Sequence, residues 1–414
     1  GNGKPGGRRC RCEGSRCVTE EKIPEESSGI FVGKQSLLWY SNKRLNLIPG
    51  REKEMEKRMS FWKTAMRRTV CAGLAAVLLL SGSVFAAAAT AETVPETQPA
   101  EEEKAWKGFD FASYSDQVST KIAIQIGDTG FNQLGFSQVQ SDRYIESISK
   151  FADDMAEKGI RVISAPAPTS VGVMIEEQYL PQIRCASQKD MQAYLHSGMS
   201  ENVVKVDVFS NLLEHNDEYL FFRTDHHWTA LGGYYAYDAL CKALEMETVP
   251  LDKFTEWDQG KFTGSLYGRV SHPSRLRADN LVAYVPPGDI LMTVYRGNHY
   301  KGQEHPVIAD FTMFDPGSKY SAFLSGESVL TVLENRSMEE GPSCIVVKDS
   351  FGNCYVPYLT EHYKTIYAVD YRIYREKTLK ELAVEKGVND VIFAPYLIAT
   401  QATDGNDFFK LICR

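Results

Sequence analysis

From residue 105 onward, short apolar runs alternate with segments of helical periodicity, and few folds admit that alternation. Lys121 to Ile126 and Ile160 to Ala165 read as strands, and between them Arg143 to Lys158 repeats Ile148, Phe151 and Met155 at helical spacing. Val203 to Val208 reads as a further strand, followed by an amphipathic helix over Thr229 to Glu245 that carries Leu231, Tyr234, Tyr235, Leu240 and Leu244. Cys344 to Val347, Thr365 to Val369 and Asp390 to Ala394 continue the strands, with helix-like stretches at Tyr355 to Tyr363 and Glu376 to Lys386. The pattern predicts an α/β fold with a mainly parallel sheet and helices on both faces. Leu251 to Glu340 breaks it: rich in Gly, Pro and aromatic residues, this stretch is expected to be an irregular, partly β insertion.

The front of the 414-residue chain is different material. Residues 1–58 open on Gly1, are basic, glycine-rich and aperiodic, and read as upstream read-through or a disordered extension. Met59 to Arg68 then brings positive charge to an apolar run from Val70 to Ala89, which ends in small residues at Ala89, Thr90 and Ala91. Residues 59–91 are therefore expected to be a secretory signal peptide. An uncleaved membrane anchor is the alternative, because the run is close to the ~20 residues that span a bilayer. Met59, Met55 and Met66 are the candidate starts. Cys10, Cys12 and Cys17 have no fourth ligand at a zinc spacing. Residues 92–104, rich in Pro, Glu and Thr, read as a solvated linker. What remains, 105–414, is roughly 300 residues, compatible with one decorated domain outside the cytoplasm.

Net charge is -8, and removing the basic front makes the remainder more acidic, which argues against a nucleic-acid partner. Cys185, Cys241, Cys344, Cys354 and Cys413 are odd in number and form no spacing framework, so disulfides are not expected to be the main support of the fold.

Two motifs carry chemistry. Thr224-Asp225-His226-His227-Trp228 stands at an expected loop-to-helix junction, and Lys348-Asp349-Ser350-Phe351-Gly352-Asn353 follows an apolar strand. Together they hold the parts of a Ser-His-Asp nucleophile site. Ser350 is expected just beyond a strand, where loops of parallel sheets bind ligands, with a helix beginning near Asn353. Its own amide would then help to hold an oxyanion. The alternative for Ser350 or Asp349 is an ordinary helix N-cap. In an extended segment Asp225 and His227 leave on the same side, and His226 points the other way. Asp225 or Thr229 capping the next helix is the alternative here, and a metal site needs a third ligand that the spacing does not supply. Arg372, after the strand at Thr365 to Val369, either contacts an anionic sugar or pairs with Asp370.

With the Leu-Gly-Gly-Tyr-Tyr-Ala-Tyr segment that follows, Thr224 to Trp228 resembles the DHHW family of secreted bacterial proteins. That family is similar to the SGNH-hydrolase-like domain of alginate O-acetylation proteins. The likeness extends to Ile163-Ser-Ala-Pro-Ala-Pro-Thr, Val203-Val-Lys-Val-Asp-Val and Lys348-Asp349-Ser350-Phe351. It implies a triad of Ser350, His227 and Asp225 with the serine last in sequence. It also implies oxyanion donors from a loop glycine and an asparagine, for which Gly264 and Asn353 are the candidates. The activity implied is an extracytoplasmic O-acetyltransferase or acetylesterase acting on a polysaccharide through an acetyl-serine, with a membrane-bound protein as possible acetyl donor. No organic cofactor and no metal are required. The competing expectation is a catalytically silent polysaccharide-binding or surface-assembly protein whose Tyr and Trp side chains stack on sugars.

Overall fold

A computed structural model describes residues 106–297 and 301–414. The expected extension, signal or anchor, and linker lie outside the described residues. The described chain opens with an antiparallel meander of β1 (Val118–Thr120), β2 (Ile124–Ile126) and β3 (Thr129–Phe131). The strand expected at Lys121 to Ile126 is thus shorter and lies outside the main sheet, because tight turns fold it back on both neighbours. Helix α1 (Gln138–Ala156) starts earlier than its apolar repeat suggests, since Ser137 caps it by accepting the Gln140 amide at 3.4 Å. It buries Tyr144, Ile148, Phe151 and Met155 at the i, i+4 and i+7 spacing of one face.

Next come β4 (Arg161–Ser164), α2 (Ser170–Met174), α3 (Gln188–Gly198), β5 (Val203–Lys205), α4 (Val208–Leu213) and α5 (Ala230–Ala243). The expected insertion carries β6 (Thr255–Phe262), β7 (Asp279–Val285), β8 (Ile290–Tyr295), β9 (Gln303–His305) and β10 (Leu330–Asn335). The chain closes with β11 (Ser343–Lys348), α6 (Gly352–Leu359), β12 (Thr365–Asp370), α7 (Leu379–Lys386), β13 (Asp390–Ala394), α8 (Leu397–Thr400) and α9 (Thr403–Ile412).

The central sheet has eight strands in the order β5-β4-β13-β11-β12-β10-β8-β9. The first five are mutually parallel, and β10, β8 and β9 add an antiparallel edge. The insertion is therefore not a separate appendage: part of it extends the sheet, while among the described residues β6 and β7 pair only with each other.

The apolar run of β11 shows why the middle strands need cover on both faces. Cys344 and Val346 enter a core with Leu240 and Tyr355, whereas Ile345 and Val347 enter another with Phe151, Leu382 and Phe409. Alternate side chains leave opposite faces, so a run with no polar partner strand face has to be buried twice over. Each such side chain contributes about 1.5–3 kcal/mol on burial. The five cysteines of this part are free thiols, and only Cys413 is not fully buried. Among the described residues, no helix is long and apolar enough to cross a membrane.

Candidate active site

β11 is the fourth strand of the sheet, and its carboxyl end delivers the Asp349-Ser350-Phe351 turn to the middle of one sheet edge. Asp349 fixes that turn. One carboxylate oxygen accepts the Phe351 amide at 3.0 Å, and the other accepts the Tyr371 hydroxyl at 2.9 Å and the Tyr396 amide at 2.8 Å. The N-cap of α6 is Phe351, with no side-chain cap bond. Ser350 is thereby released from capping duty, and its Oγ lies 2.8 Å from His227 Nε2.

The second motif approaches from across the sheet edge. Phe221 and Trp228 form an isolated antiparallel bridge, and the residues between them bend sharply instead of running extended. Asp225 Oδ1 accepts both the His227 amide, at 3.0 Å, and Nδ1 of the His227 ring, at 2.5 Å. Asp225, His227 and Ser350 thus form a hydrogen-bonded chain from carboxylate to imidazole to hydroxyl. In this order, Asp225 holds the imidazole with Nδ1–H toward itself and leaves Nε2 to take the serine proton. Burial pushes the Asp225 carboxyl up, but the neighbouring His227 and His226 rings and the Ser265 amide hold it well below the usual carboxylate range.

The bend also overturns the expected orientation of His226. Alternation applies to an extended strand, and this segment is a turn. His226 Nδ1 lies 2.6 Å from Ser265 Oγ and 3.6 Å from Asp225 Oδ1, and its ring centroid is 3.9 Å from that of His227. Burial first, then the adjacent His227, pushes the His226 imidazole down to about 3.

Asp225, His226 and His227 bring ligand atoms within 4.8 Å of one another. Two ligands of one tetrahedral zinc ion at its usual bond lengths stand ~3.3 Å apart. The 2.5 Å contact between Asp225 and His227 is instead that of a hydrogen-bonded pair.

Gly264, expected to donate to an oxyanion, does something else. Its amide donates to Thr224 Oγ1 at 3.0 Å, and a Cβ built on it would sit 2.1 Å from the Asp225 Cβ. It is a space-maker for the carboxylate, while the next amide, of Ser265, donates to Asp225 Oδ2 at 2.6 Å. Asn353 is likewise engaged: Oδ1 accepts from the buried Lys348 Nζ at 2.6 Å, and Nδ2 points to the Gly326 carbonyl at 3.5 Å. Arg372 takes the pairing alternative, with Nε 2.9 Å and Nη2 2.6 Å from the two oxygens of Asp370 and Nη2 3.0 Å from Glu327. Its charge is already matched by two carboxylates.

Two further contributors escaped sequence reasoning, Asp279 from the insertion and Tyr396 from the stretch just after β13. Asp279, at the start of β7, is buried and accepts the amides of Arg223, at 3.0 Å, and Thr224, at 2.7 Å, and the hydroxyls of Tyr219 and Thr224. It pins the loop on which the acid and imidazoles sit. Tyr396 stacks on Phe351 with ring centroids 4.0 Å apart and planes inclined by 13°. No motif spacing marks either residue.

The serine, histidine and aspartate gather at the carboxyl edge of a mainly parallel sheet whose fold is SGNH-hydrolase-like. The chain belongs to the DHHW family, whose family model, described as DHHW protein, matches residues 110–369. The sheet continues beyond that match, since β13 lies at its centre. Among solved structures, a DHHW family protein from Eubacterium siraeum is similar at 23% identity and a TM-score of 0.61, covering 69% of this chain and 93% of that one. Bacillus cereus PatB1 is similar at 16% identity and a TM-score of 0.58, covering 70% of this chain and 100% of that one. The O-acetyltransferase domain of Pseudomonas putida AlgJ matches at 15% identity and a TM-score of 0.40, covering 71% of this chain and 98% of that one. No curated protein matches the chain.

Proposed function

We propose that this domain is an extracytoplasmic O-acetyltransferase or acetylesterase that works through an acetyl-serine at Ser350. The observation that carries the reading is the 2.8 Å approach of Ser350 Oγ to His227 Nε2, with Asp225 on the opposite ring nitrogen. A silent binding module has no need to hold a half-buried serine against an oriented imidazole. The apolar run at Val70 to Ala89 supports export, and the family resemblance supports a polysaccharide acceptor with a membrane-bound acetyl donor.

In this mechanism Ser350 Oγ attacks the acetyl carbonyl as His227 Nε2 takes the hydroxyl proton. The Ser350 amide, just ahead of α6, is the backbone donor assigned to the developing oxyanion. Collapse of the tetrahedral intermediate breaks the bond to the donor oxygen, which leaves with the proton from His227. A sugar hydroxyl then gives its proton to His227 and attacks the acetyl-serine, and the proton returns to Ser350 as the bond breaks. Water in place of the sugar makes the reaction hydrolysis.

The test is intact-mass measurement after brief exposure to p-nitrophenyl acetate without an acceptor. One added acetyl group is expected on the native protein and none on Ser350→Ala. Turnover without any adduct would mean that Ser350 is not the nucleophile.

A further inference from the structure

We propose that Tyr320 is a positioning residue for the reaction, holding His227 and Ser350 in register from a segment that neither sequence motif contains. The inference rests on the acyl-transfer reading above. Tyr320 stands in the 3-10 turn Pro316–Ala322, between β9 and β10. Its ring lies parallel to the His227 imidazole, with centroids 4.0 Å apart and planes inclined by only 11°. Its hydroxyl donates to the carbonyl oxygen of Ser350 at 3.1 Å and reaches Cys354 Sγ at 3.5 Å. One side chain therefore touches the proposed base through its ring and the proposed nucleophile through its hydroxyl.

These contacts do separate things. Asp225 holds one edge of the imidazole but does not prevent it from tilting about that hydrogen bond. A flat ring packed against the imidazole face does. The attraction also grows along the reaction: once His227 takes the serine proton, the positive ring faces the negative face of the phenol. An interaction stronger in the transition state than in the resting site acts on kcat more than on KM. Burial pushes the Tyr320 phenol well above its ordinary value, so it remains a neutral donor to the Ser350 carbonyl at neutral pH. That bond steadies the turn while the serine side chain moves.

Tyr320→Leu removes ring and hydroxyl, and Tyr320→Phe removes the hydroxyl alone. On p-nitrophenyl acetate, Tyr320→Leu is expected to lower kcat by about tenfold to a hundredfold with KM within about threefold, as expected for a misaligned base. Tyr320→Phe is expected to recover most of that loss. Nitrogen-15 NMR of the His227 ring supplies a readout that needs no turnover. The native protein and Tyr320→Phe should show one fixed tautomer, and Tyr320→Leu should show averaging of the two nitrogens. If Tyr320→Leu does not fold, Tyr320→Met takes its place. Equal kcat losses for leucine and phenylalanine, or an unchanged imidazole signal in the leucine variant, would overturn the proposal. A native protein that shows the fixed tautomer but forms no acetyl-serine would instead overturn the acyl-transfer reading and leave the clamp standing.

Discussion

Trp228 Nε1 donates to the carbonyl oxygen of Phe351 at 2.9 Å, joining two motifs that lie 123 residues apart. The indole sits beside the Asp-x-His segment and the carbonyl beside the serine, so this bond ties the segment that bears the imidazole to the one that bears the hydroxyl. Trp228 is also buried, and its ring packs edge-on against Phe351 with centroids 5.4 Å apart.

Replacing Trp228 with phenylalanine takes the indole donor from the buried Phe351 carbonyl and leaves it the weak Cys354 thiol donor at 3.8 Å. A buried carbonyl left wholly unsatisfied costs about 1–3 kcal/mol, which bounds the loss from above. Trp228→Phe is therefore expected to lower the denaturant midpoint with an unchanged slope, and to lower kcat by loosening the approach of Ser350. A variant with native stability would show that the bond does not tie the two motifs together.

The two adjacent histidines are expected to differ in degree. His227→Ala removes the imidazole that bridges Asp225 and Ser350, and should lower kcat/KM on p-nitrophenyl acetate by on the order of a thousandfold or more. His226→Ala should cost about tenfold, because its ring supports Asp225 and His227 without reaching the serine. Equal losses would assign His226 to the proton path.

Gly264 is open to a one-atom test. A Cβ there would overlap the Asp225 carboxylate, with the nearest oxygen 2.3 Å away. Gly264→Ala is expected to displace Asp225 and reduce kcat by about a hundredfold, while circular dichroism remains native. Native kcat in Gly264→Ala would show that the carboxylate tolerates the shift.

His226 makes stability depend on pH in a defined window. Its folded imidazole is pushed down to about 3, against 6.5 for an ordinary histidine. As pH falls below ~6.5 the unfolded chain gains a proton that the folded state refuses until about 3, so the unfolded state is favoured progressively across that range. Asp225 adds to this in stronger acid: its carboxyl is lowered, so its contribution is present above the unfolded carboxylate value and is lost as pH falls toward the folded one. The melting temperature of the native protein should fall between pH 7 and pH 4 more steeply than that of His226→Gln. Parallel curves would remove His226 as the cause.

Local pattern determined a good part of this protein. The strands Ser343–Lys348, Thr365–Asp370 and Asp390–Ala394 and the helix Ala230–Ala243 lie close to where apolar runs and periodicity put them. These elements bury both faces or one stripe, and burial is written directly into residue order. The identities of Ser350, His227 and Asp225 were legible for a similar reason, as short motifs at strand and helix boundaries. Tertiary structure decided what sits between the motifs. The turn at 223–227 brought His226 toward Asp225, against the alternation of an extended strand. Gly264, Asn353 and Arg372 found partners in Thr224, Lys348 and Asp370, and so took structural places. Tyr320, Ser265 and Asp279 arrived from an insertion whose local pattern is weak, because a side chain's role there depends on which distant surface it meets, and spacing along the chain carries no record of that.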